Sequence, residues 1–478
     1  MRENIILDVD SYKASQFLQY PPNSEYVNSY IESRGGEWDQ TVFFGLQMAL
    51  IEYLSDPITM EDIEEAEEVF ASHGEPFNKE GWLYILDTYN GYLPVEIQAV
   101  PEGTVVPVSN VLVQVVNTDP KCFWLTSYIE TMLLRAVWYP TTVATNSFMC
   151  KKYIYESLKR TSDDPDGQIA FKLHDFGSRG VSSRESAGIG GVAHLVNFMG
   201  TDTVEGVMYA RKYYAESMAG FSIPASEHST ITSWGGPDQE IDAFKNMLKQ
   251  FAKPGAMVAC VSDSYDIYKA SIVWGTELKA QVLESGATLV VRPDSGDPLT
   301  VPVEVIEILA DKFGYTVNSK GFKVLNPAVR VIQGDGINHK SLQIILENVE
   351  AAGYSTDNIA FGMGGGLLQQ VDRDTLKWAM KASAIKIDGK WQDVWKQPVG
   401  QPDKASKRGV LALRESCGVG SCEYQTLRLE HLQYASYNVL EPVYRNGKVL
   451  KTYSLAEVRE RANAGLQKLT KVKTLDRF

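Results

Sequence analysis

The sequence predicts an α/β fold built on a parallel sheet, joined to a second part that mixes strands and helices. Three observations carry that expectation. First, from about residue 168, short apolar runs recur at roughly 25–40-residue spacing, the rhythm of βα units. Second, each run is closed by a polar or Gly-rich tip: "QIAFKL" by HDFG, "HLVNF" by MGTDT, "FSIPA" by SEHST, "AMVACV" by SDSYD, "ATLVV" by RPDSGD, "VRVI" by QGDG and "NIAF" by GMGGG. Third, the stretches 264–284, 300–313 and 338–352 carry helical apolar spacing. "SAIKI" (383–387) offers an eighth strand. Eight units would close a barrel, whose C-terminal strand ends form the active site.

The flanking segments read differently. "TMEDIEEAEEVFAS" (59–72) is an acidic amphipathic helix with a solvated face, and "FWLTSYIETMLLRAVW" (123–138) a largely buried one. "GTVVPVSNVLVQVVNT" (103–118) is β-branched and broken by turn residues, which predicts a strand pair. Residues 389–409 read as a loop leaving the barrel, and "LAEVRERANAGLQKL" as a terminal helix. The expected division is 151–388 for the barrel, with 1–150 and 389–478 forming an α+β domain.

Composition narrows the function. With 46 Lys+Arg against 60 Asp+Glu, the net charge is −14 over 478 residues. A field of that sign disfavours nucleic acid and anionic membrane as partners. A few local arginines still suffice for a phosphate ligand. Neither a signal peptide nor an apolar run of spanning length is visible. The five cysteines include a lone C-x4-C (Cys417, Cys422) with no second pair at zinc-like spacing, so reduced thiols and a cytoplasmic location are expected. "GIGGVA" (188–193) matches a dinucleotide fingerprint but follows "SSRESA" rather than a strand. The chain has no G-x-x-x-x-G-K-[ST] loop and no H-E-x-x-H, so any ATP site is not a standard phosphate loop.

The tips hold the chemistry. Arg292 and Asp294 stand two apart at a strand end and so point the same way. Arg292 suits a bidentate phosphate contact, and Asp294 a ribose hydroxyl or a magnesium-bound water. The alternative is an Arg–Asp ion pair capping the turn. "QGDG" and "GMGGG" offer backbone N–H groups to an anion. His228, one of six histidines, lies in "PASEHSTIT" among hydroxyls and beside Glu227, the setting of a reactive group.

"DSYKASQFLQYPPNSEYVNSYIESR" (10–34), "HDFGSRGVSS" (174–183), "GTDT" (200–203), "PASEHSTIT" (224–232), "VSDSYDIY" (261–268), "RPDSGDPL" (292–299), "QGDG" and "AFGMGGGLLQ" (360–369) resemble, in order and nearly end to end, the type II phosphoribosyltransferases, and among them the nicotinamide-using members. The resemblance implies a homodimer with an irregular α/β barrel, a second α+β domain, and active sites at the subunit interface. The implied reaction joins nicotinamide to phosphoribosyl pyrophosphate, giving nicotinamide mononucleotide and pyrophosphate in NAD biosynthesis. Magnesium would arrive with the pyrophosphate rather than on protein ligands alone. ATP would be a co-substrate, its hydrolysis coupled through a phosphohistidine.

The resemblance also assigns roles. Phe176, and Tyr12 from the partner subunit, would sandwich the pyridine ring. Asp202 would accept from the carboxamide NH2 and repel a carboxylate, selecting amide over acid. Without the family, Phe176 reads as core and Asp202 as a helix cap. Arg179 and Arg292 would hold pyrophosphate, with Arg34 a phosphate contact from the neighbouring chain. Asp294, Gly334, Asp335, Gly364, Gly365 and Arg373 would hold the ribose phosphate. His228 would accept the phosphoryl group, oriented by Asp263, with Glu227 nearby. Lys381 and Lys396 are further phosphate contacts.

Two departures stand out: a short link, "GGEWDQ", after Arg34, and Ala379 where the family commonly has serine. Competing readings are a nicotinate-specific relative, against which Asp202 argues; a non-catalytic binding protein on the same scaffold; and a phosphate-binding barrel lyase or isomerase, for which no tip lysine stands out.

Overall fold

The computed structural model describes residues 4–400, 405–417 and 422–472. Contacts divide the chain into two compact units. One comprises Met1–Thr145, Lys212–Glu216 and Val371–Phe478; the other comprises Asn146–Arg211 and Ser217–Gln370.

The second unit is built on a six-stranded parallel sheet. Its spatial order is Gly200–Thr201, Leu173–Asp175, Ile359–Met363, Val329–Gln333, Thr288–Arg292 and Met257–Val261. The two edge strands are joined through segment 221–225, which makes parallel bridges Gly200↔Phe221 and Ala225↔Ala259. The sheet thereby curls into a barrel with one irregular position. The irregularity has a local cause: Pro224 lacks a backbone N–H and cannot complete a ladder. Its carbonyl still accepts from Ala259 N–H at 2.9 Å.

The helices around this sheet follow from their apolar stripes. Val301–Phe313 buries Val305, Ile306 and Leu309, and His339–Ala351 buries Leu342, Ile345, Leu346 and Val349. Asn338 starts the latter by accepting from the Lys340 and Ser341 N–H groups. Beneath the sheet, Lys172 is buried and donates to the carbonyls of Thr356, Asp357 and Ile359 at 2.9–3.1 Å.

The first unit holds a seven-stranded antiparallel sheet. Its order is Lys390–Asp393, Trp378–Ile387, Ser24–Ser33, Val111–Asn117, Val95–Ala99, Glu441–Arg445 and Lys448–Val449. A helix, Met60–His73, begins at a Thr59–Asp62 capping box. Leu411–Cys417 and Cys422–Arg428 form a hairpin, and Leu455–Val472 is the terminal helix. N- and C-terminal segments thus build one α+β unit, as expected.

Four expectations change. "SAIKI" is not an eighth barrel strand: it belongs to Trp378–Ile387, which pairs antiparallel with Ser24–Ser33 and Lys390–Asp393. The barrel therefore ends near Gln370 rather than 388, because the residues beyond find their hydrogen-bond partners in the other sheet. "HLVNF" is the end of helix Arg184–His194 and the turn after it, and the strand is Gly200–Thr201. A short apolar run does not separate a buried helix end from a strand; here His194 is buried, its Nε2 3.1 Å from the Gly200 carbonyl. Finally, 103–118 contains two strands that do not pair together. Val105–Pro107 pairs with Gln40–Val42, and Val111–Asn117 lies between Ser24–Ser33 and Val95–Ala99.

No described helix is long and apolar enough to cross a membrane. Cys122, Cys150 and Cys260 are free and buried. The side chains of Cys417 and Cys422 lie outside the described residues.

Candidate active site

The parallel strands of the barrel unit deliver their tips to one end. At the tip after Leu173–Asp175, the Asp175 carboxylate accepts from Gly177 N–H at 2.7 Å, and Phe176 N–H donates to the Met363 carbonyl at 3.0 Å. These bonds fix the Phe176 backbone. Its ring packs on Ala259, Val290 and Ile332, with Ile223 and Ala360 beside it. Gly362 makes room for that ring: a Cβ there would lie 2.0 Å from Phe176 Cε2. Phe176 is therefore both partly core and part of the candidate pocket.

Asp202 follows Thr201 on the neighbouring strand, and its N–H donates to the Asp175 carbonyl at 2.9 Å. Ser222 donates its hydroxyl to Asp202 Oδ1. Burial pushes the Asp175 carboxyl up to about 6; the Gly177 N–H opposes this, and the Asp202 charge adds to it. Burial also lowers His174 from the ordinary imidazole value, against the pull of Asp202. His174 Nε2 lies 3.0 Å from the Phe171 carbonyl. A carbonyl only accepts, so Nε2 carries the proton.

His228 opens the short helix His228–Thr232 after the irregular segment. Its Nε2 lies 2.9 Å from Asp263 Oδ1, at the tip after Met257–Val261. The Asp263 side chain is 2 % exposed and the His228 side chain 47 %. On the other side, Nδ1 lies 4.0 Å from Asp294 Oδ2. In the neutral ring Asp263 holds the proton on Nε2 and leaves the Nδ1 lone pair free. The hydroxyls around His228 face their own helix: Ser229 donates to Glu227 Oε1, Thr230 to the Glu227 carbonyl at 3.0 Å and Thr232 to the His228 carbonyl at 2.9 Å. Glu227 is thereby the helix N-cap.

Arg292 and Asp294 form a two-point ion pair, Nε–Oδ1 3.1 Å and Nη2–Oδ2 2.7 Å. The guanidinium carbon also sits 5.8 Å from the centroid of the Phe176 ring. The ion-pair alternative is thus present, and it holds Arg292 at the ring. Gly334 lies against both groups: a Cβ there would be 3.3 Å from Phe176 Cε2 and 3.6 Å from Asp294 Oδ1. Asp335 is tied by its carbonyl to Gln333 Nε2 at 3.0 Å. Gly364 and Gly365 start the short helix Gly365–Leu368, and a Cβ on Gly180, next to Arg179, would lie 3.5 Å from Gly365 N.

The remaining expected residues lie in the other unit. Tyr12 is on the 3-10 helix Ser11–Leu18 and is more than half exposed. Arg34 pairs with the buried Glu32 at 3.0 Å, and Lys407 pairs with the same carboxylate. Burial holds Lys381 below the usual lysine range; Glu130 opposes this, and Arg34, Lys396 and Lys13 add to it. These four cations form a local basic group in an acidic chain. Arg373 is exposed beside Asp374, and Lys396 is exposed on the loop after Lys390–Asp393. Ala379 stands opposite Glu32 in the sheet.

Three groups escaped sequence reasoning. Gly362 was visible only as one more glycine in "GMGGG". Ser222 looked like strand. Glu240 is pushed up to about 7 by burial, with Asp263 and Asp266 adding to the shift. It opens the amphipathic helix Glu240–Phe251, where an acidic residue reads as an ordinary first-turn charge.

A curled parallel sheet, Gly-rich strand tips and a histidine–aspartate pair match a phosphoribosyltransferase-type barrel. The nicotinate phosphoribosyltransferase (NAPRTase) family model matches residues 171–447. The model for the N-terminal domain of nicotinamide phosphoribosyltransferase matches residues 4–97. The chain belongs to the nicotinate phosphoribosyltransferase family and is an enzyme of the pentosyltransferase class. It is 54% identical over 466 residues to the nicotinamide phosphoribosyltransferase of Xanthomonas campestris pv. campestris, covering 97% of this chain and 98% of that one. It is 31% identical to the protein of the same name from Acinetobacter baylyi, covering 96% and 97%. Two solved structures share the fold. Nicotinate-nucleotide pyrophosphorylase from Pyrococcus furiosus has a TM-score of 0.64 at 16% identity, covering 98% of this chain and 97% of that one. Human nicotinic acid phosphoribosyltransferase has a TM-score of 0.61 at 17% identity, covering 96% and 93%.

Proposed function

We propose that this enzyme joins nicotinamide to phosphoribosyl pyrophosphate, forming nicotinamide mononucleotide and pyrophosphate for NAD salvage, with ATP hydrolysis coupled through a phosphohistidine at His228. The observation that carries the substrate reading is Asp202, whose N–H donates to the carbonyl of Asp175, the residue before Phe176. A carboxylate beside the ring site accepts from a carboxamide and repels a carboxylate. The relatives from Xanthomonas and Acinetobacter carry the nicotinamide name in support. The family model carries the nicotinate name, which makes the acid the second reading.

In this proposal the ribosyl carbon becomes cation-like as pyrophosphate leaves. Positioning and charge stabilisation by Arg179 and Arg292 then supply most of the catalysis. Asp294 turns from its Arg292 partner to the ribose, and Gly334, Asp335, Gly364 and Gly365 cradle the 5-phosphate. Arg34, Arg373, Lys381 and Lys396 are assigned to phosphates, and Tyr12 to the ring; in a homodimer, Tyr12 and Arg34 would come from the partner. Among the described residues no group of three or more His, Cys, Asp or Glu is placed to hold a metal ion. Magnesium would enter with pyrophosphate and neutralise leaving-group charge.

For ATP coupling, Nδ1 of His228 attacks the γ-phosphorus, an N–P bond forms, and ADP leaves with the electrons of the broken P–O bond. Asp263 stabilises the positive charge that develops on the ring. Water later cleaves the N–P bond.

A product assay with nicotinamide and nicotinate, each with and without ATP, tests the reading. Nicotinamide mononucleotide as the main product supports it; equal use of the acid overturns the substrate. Asp202→Ala is expected to lower kcat/KM for nicotinamide far more than it weakens phosphoribosyl pyrophosphate binding. His228→Ala is expected to abolish ATP hydrolysis and leave weak mononucleotide synthesis; normal ATPase activity in that variant overturns the phosphohistidine.

A further inference from the structure

We propose that Ser222 is a second acceptor for the substrate's amide, so that Asp202 and Ser222 together read a primary carboxamide through both of its N–H bonds. The inference rests on the nicotinamide reading of the pocket. Its basis is the direction of one hydroxyl. Segment 221–225 runs parallel beside Gly200–Thr201, with Thr201 N–H donating to the Phe221 carbonyl at 3.0 Å. Ser222 and Asp202 each follow that rung by one residue and come side by side.

Ser222 has a single proton, and it is directed at Asp202 Oδ1. The other acceptor in reach, the Ile223 carbonyl, lies at 3.5 Å, the outer limit for such a bond. With its proton committed, the hydroxyl turns only lone pairs outward. Asp202 Oδ2 is an acceptor as well. His174, the nearby ring, has its proton on Nε2 directed at the Phe171 carbonyl and offers none here. This edge of the pocket therefore presents two acceptors from adjacent strands. A primary amide supplies two donors on one nitrogen and satisfies both. A secondary amide supplies one, and a carboxylate none. Ser222 thus adds a distinction that Asp202 alone cannot make: between an amide with two hydrogens and one with a substituted nitrogen.

The test compares wild type, Ser222→Ala and Ser222→Thr in steady-state kinetics with three ring substrates. These are nicotinamide, its analogue carrying one methyl on the amide nitrogen, and nicotinate, at saturating phosphoribosyl pyrophosphate, ATP and magnesium. Ser222→Ala is expected to raise KM for nicotinamide about 3- to 10-fold, the loss of one hydrogen bond, with kcat within about twofold. KM for the methylated amide should stay unchanged, so the preference for the primary amide shrinks. Ser222→Thr, which keeps the hydroxyl, should restore it. An equal change for both amides, or an unchanged KM for nicotinamide, overturns the role of Ser222 while leaving the nicotinamide reading intact. Wild type that treats the two amides alike also overturns it, without needing a variant. Wild type that prefers nicotinate overturns the substrate reading and this inference with it.

Discussion

Replacing Asp263 with asparagine keeps the shape of the side chain and removes its charge. In the structure the carboxylate is almost fully buried and accepts from His228 Nε2 at 2.9 Å. A hydrogen bond to a charged group contributes about 1.5–3 kcal/mol. Nearly half of the His228 side chain is open to water, so screening trims the effective value to about 1–2 kcal/mol. The contribution grows as the ring gains positive charge during phosphoryl transfer, so the loss falls on that step. Phosphorylation from ATP should slow roughly 5- to 30-fold. Rapid quenching of the ATP reaction, followed by acid-labile, base-stable phosphoprotein, measures the step directly. Mononucleotide synthesis without ATP provides the control and should stay within about twofold. Phosphorylation at the wild-type rate, or an equal loss with and without ATP, would refute the idea that Asp263 acts through His228.

Other perturbations test separate parts of the site. The folded pKa of Asp175 is raised to about 6 from 3.8. The stability that proton binding provides is therefore complete below about pH 4 and lost as pH rises through about 6. Asp175→Asn mimics the protonated form; the variant should match wild type near pH 4 and exceed it by up to about 3 kcal/mol above pH 7, as read from urea midpoints. An identical pH profile for the two proteins contradicts the buried-carboxyl account. Gly362→Ala places a methyl where the Phe176 ring now lies. It should raise KM for the ring substrate about tenfold while sparing ATP hydrolysis, and an unchanged KM means the ring position does not matter to binding. Lys172→Met leaves three carbonyls without their donor and should lower the unfolding free energy by about 2–4 kcal/mol in denaturant titrations. A loss below about 0.5 kcal/mol would assign that lysine no structural part.

Much of the site was legible because its chemistry sits at strand tips, and tips are punctuated in sequence. "SDSYD" and "SEHST" each announce an apolar run ending in polar residues, and the structure puts Asp263 and His228 within one hydrogen bond. What sequence does not show is which sheet claims a strand. "SAIKI" has the apolar content of a barrel strand, yet on one side it pairs with Ser24, Tyr26, Val27 and Asn28, more than 350 residues earlier, and on the other with Lys390–Asp393. Nor does it show where a hydroxyl points. From sequence, Ser229, Thr230 and Thr232 could either steady a phosphoryl group or cap the next helix; in the structure they bond their own helix. Ser222 lay inside an apolar segment and carried no signal. The shift at Glu240 comes first from burial, with Asp263 and Asp266, carboxylates 23 and 26 positions away in number, adding to it, an environment that only folding creates.

The pairing of Ser24–Ser33 with Trp378–Ile387 has a consequence for how the chain is made. The first of these strands leaves the ribosome with both flanks bare; Val111–Asn117 covers one once it is made, and the other stays bare. At about 5–20 residues per second, the missing neighbour follows roughly 20–70 s later. Over that interval every strand of the parallel barrel has already been synthesised. Birth order and completion order are therefore reversed: the unit that begins first finishes last. Its bare strand flank in the meantime is open to pairing with another nascent chain.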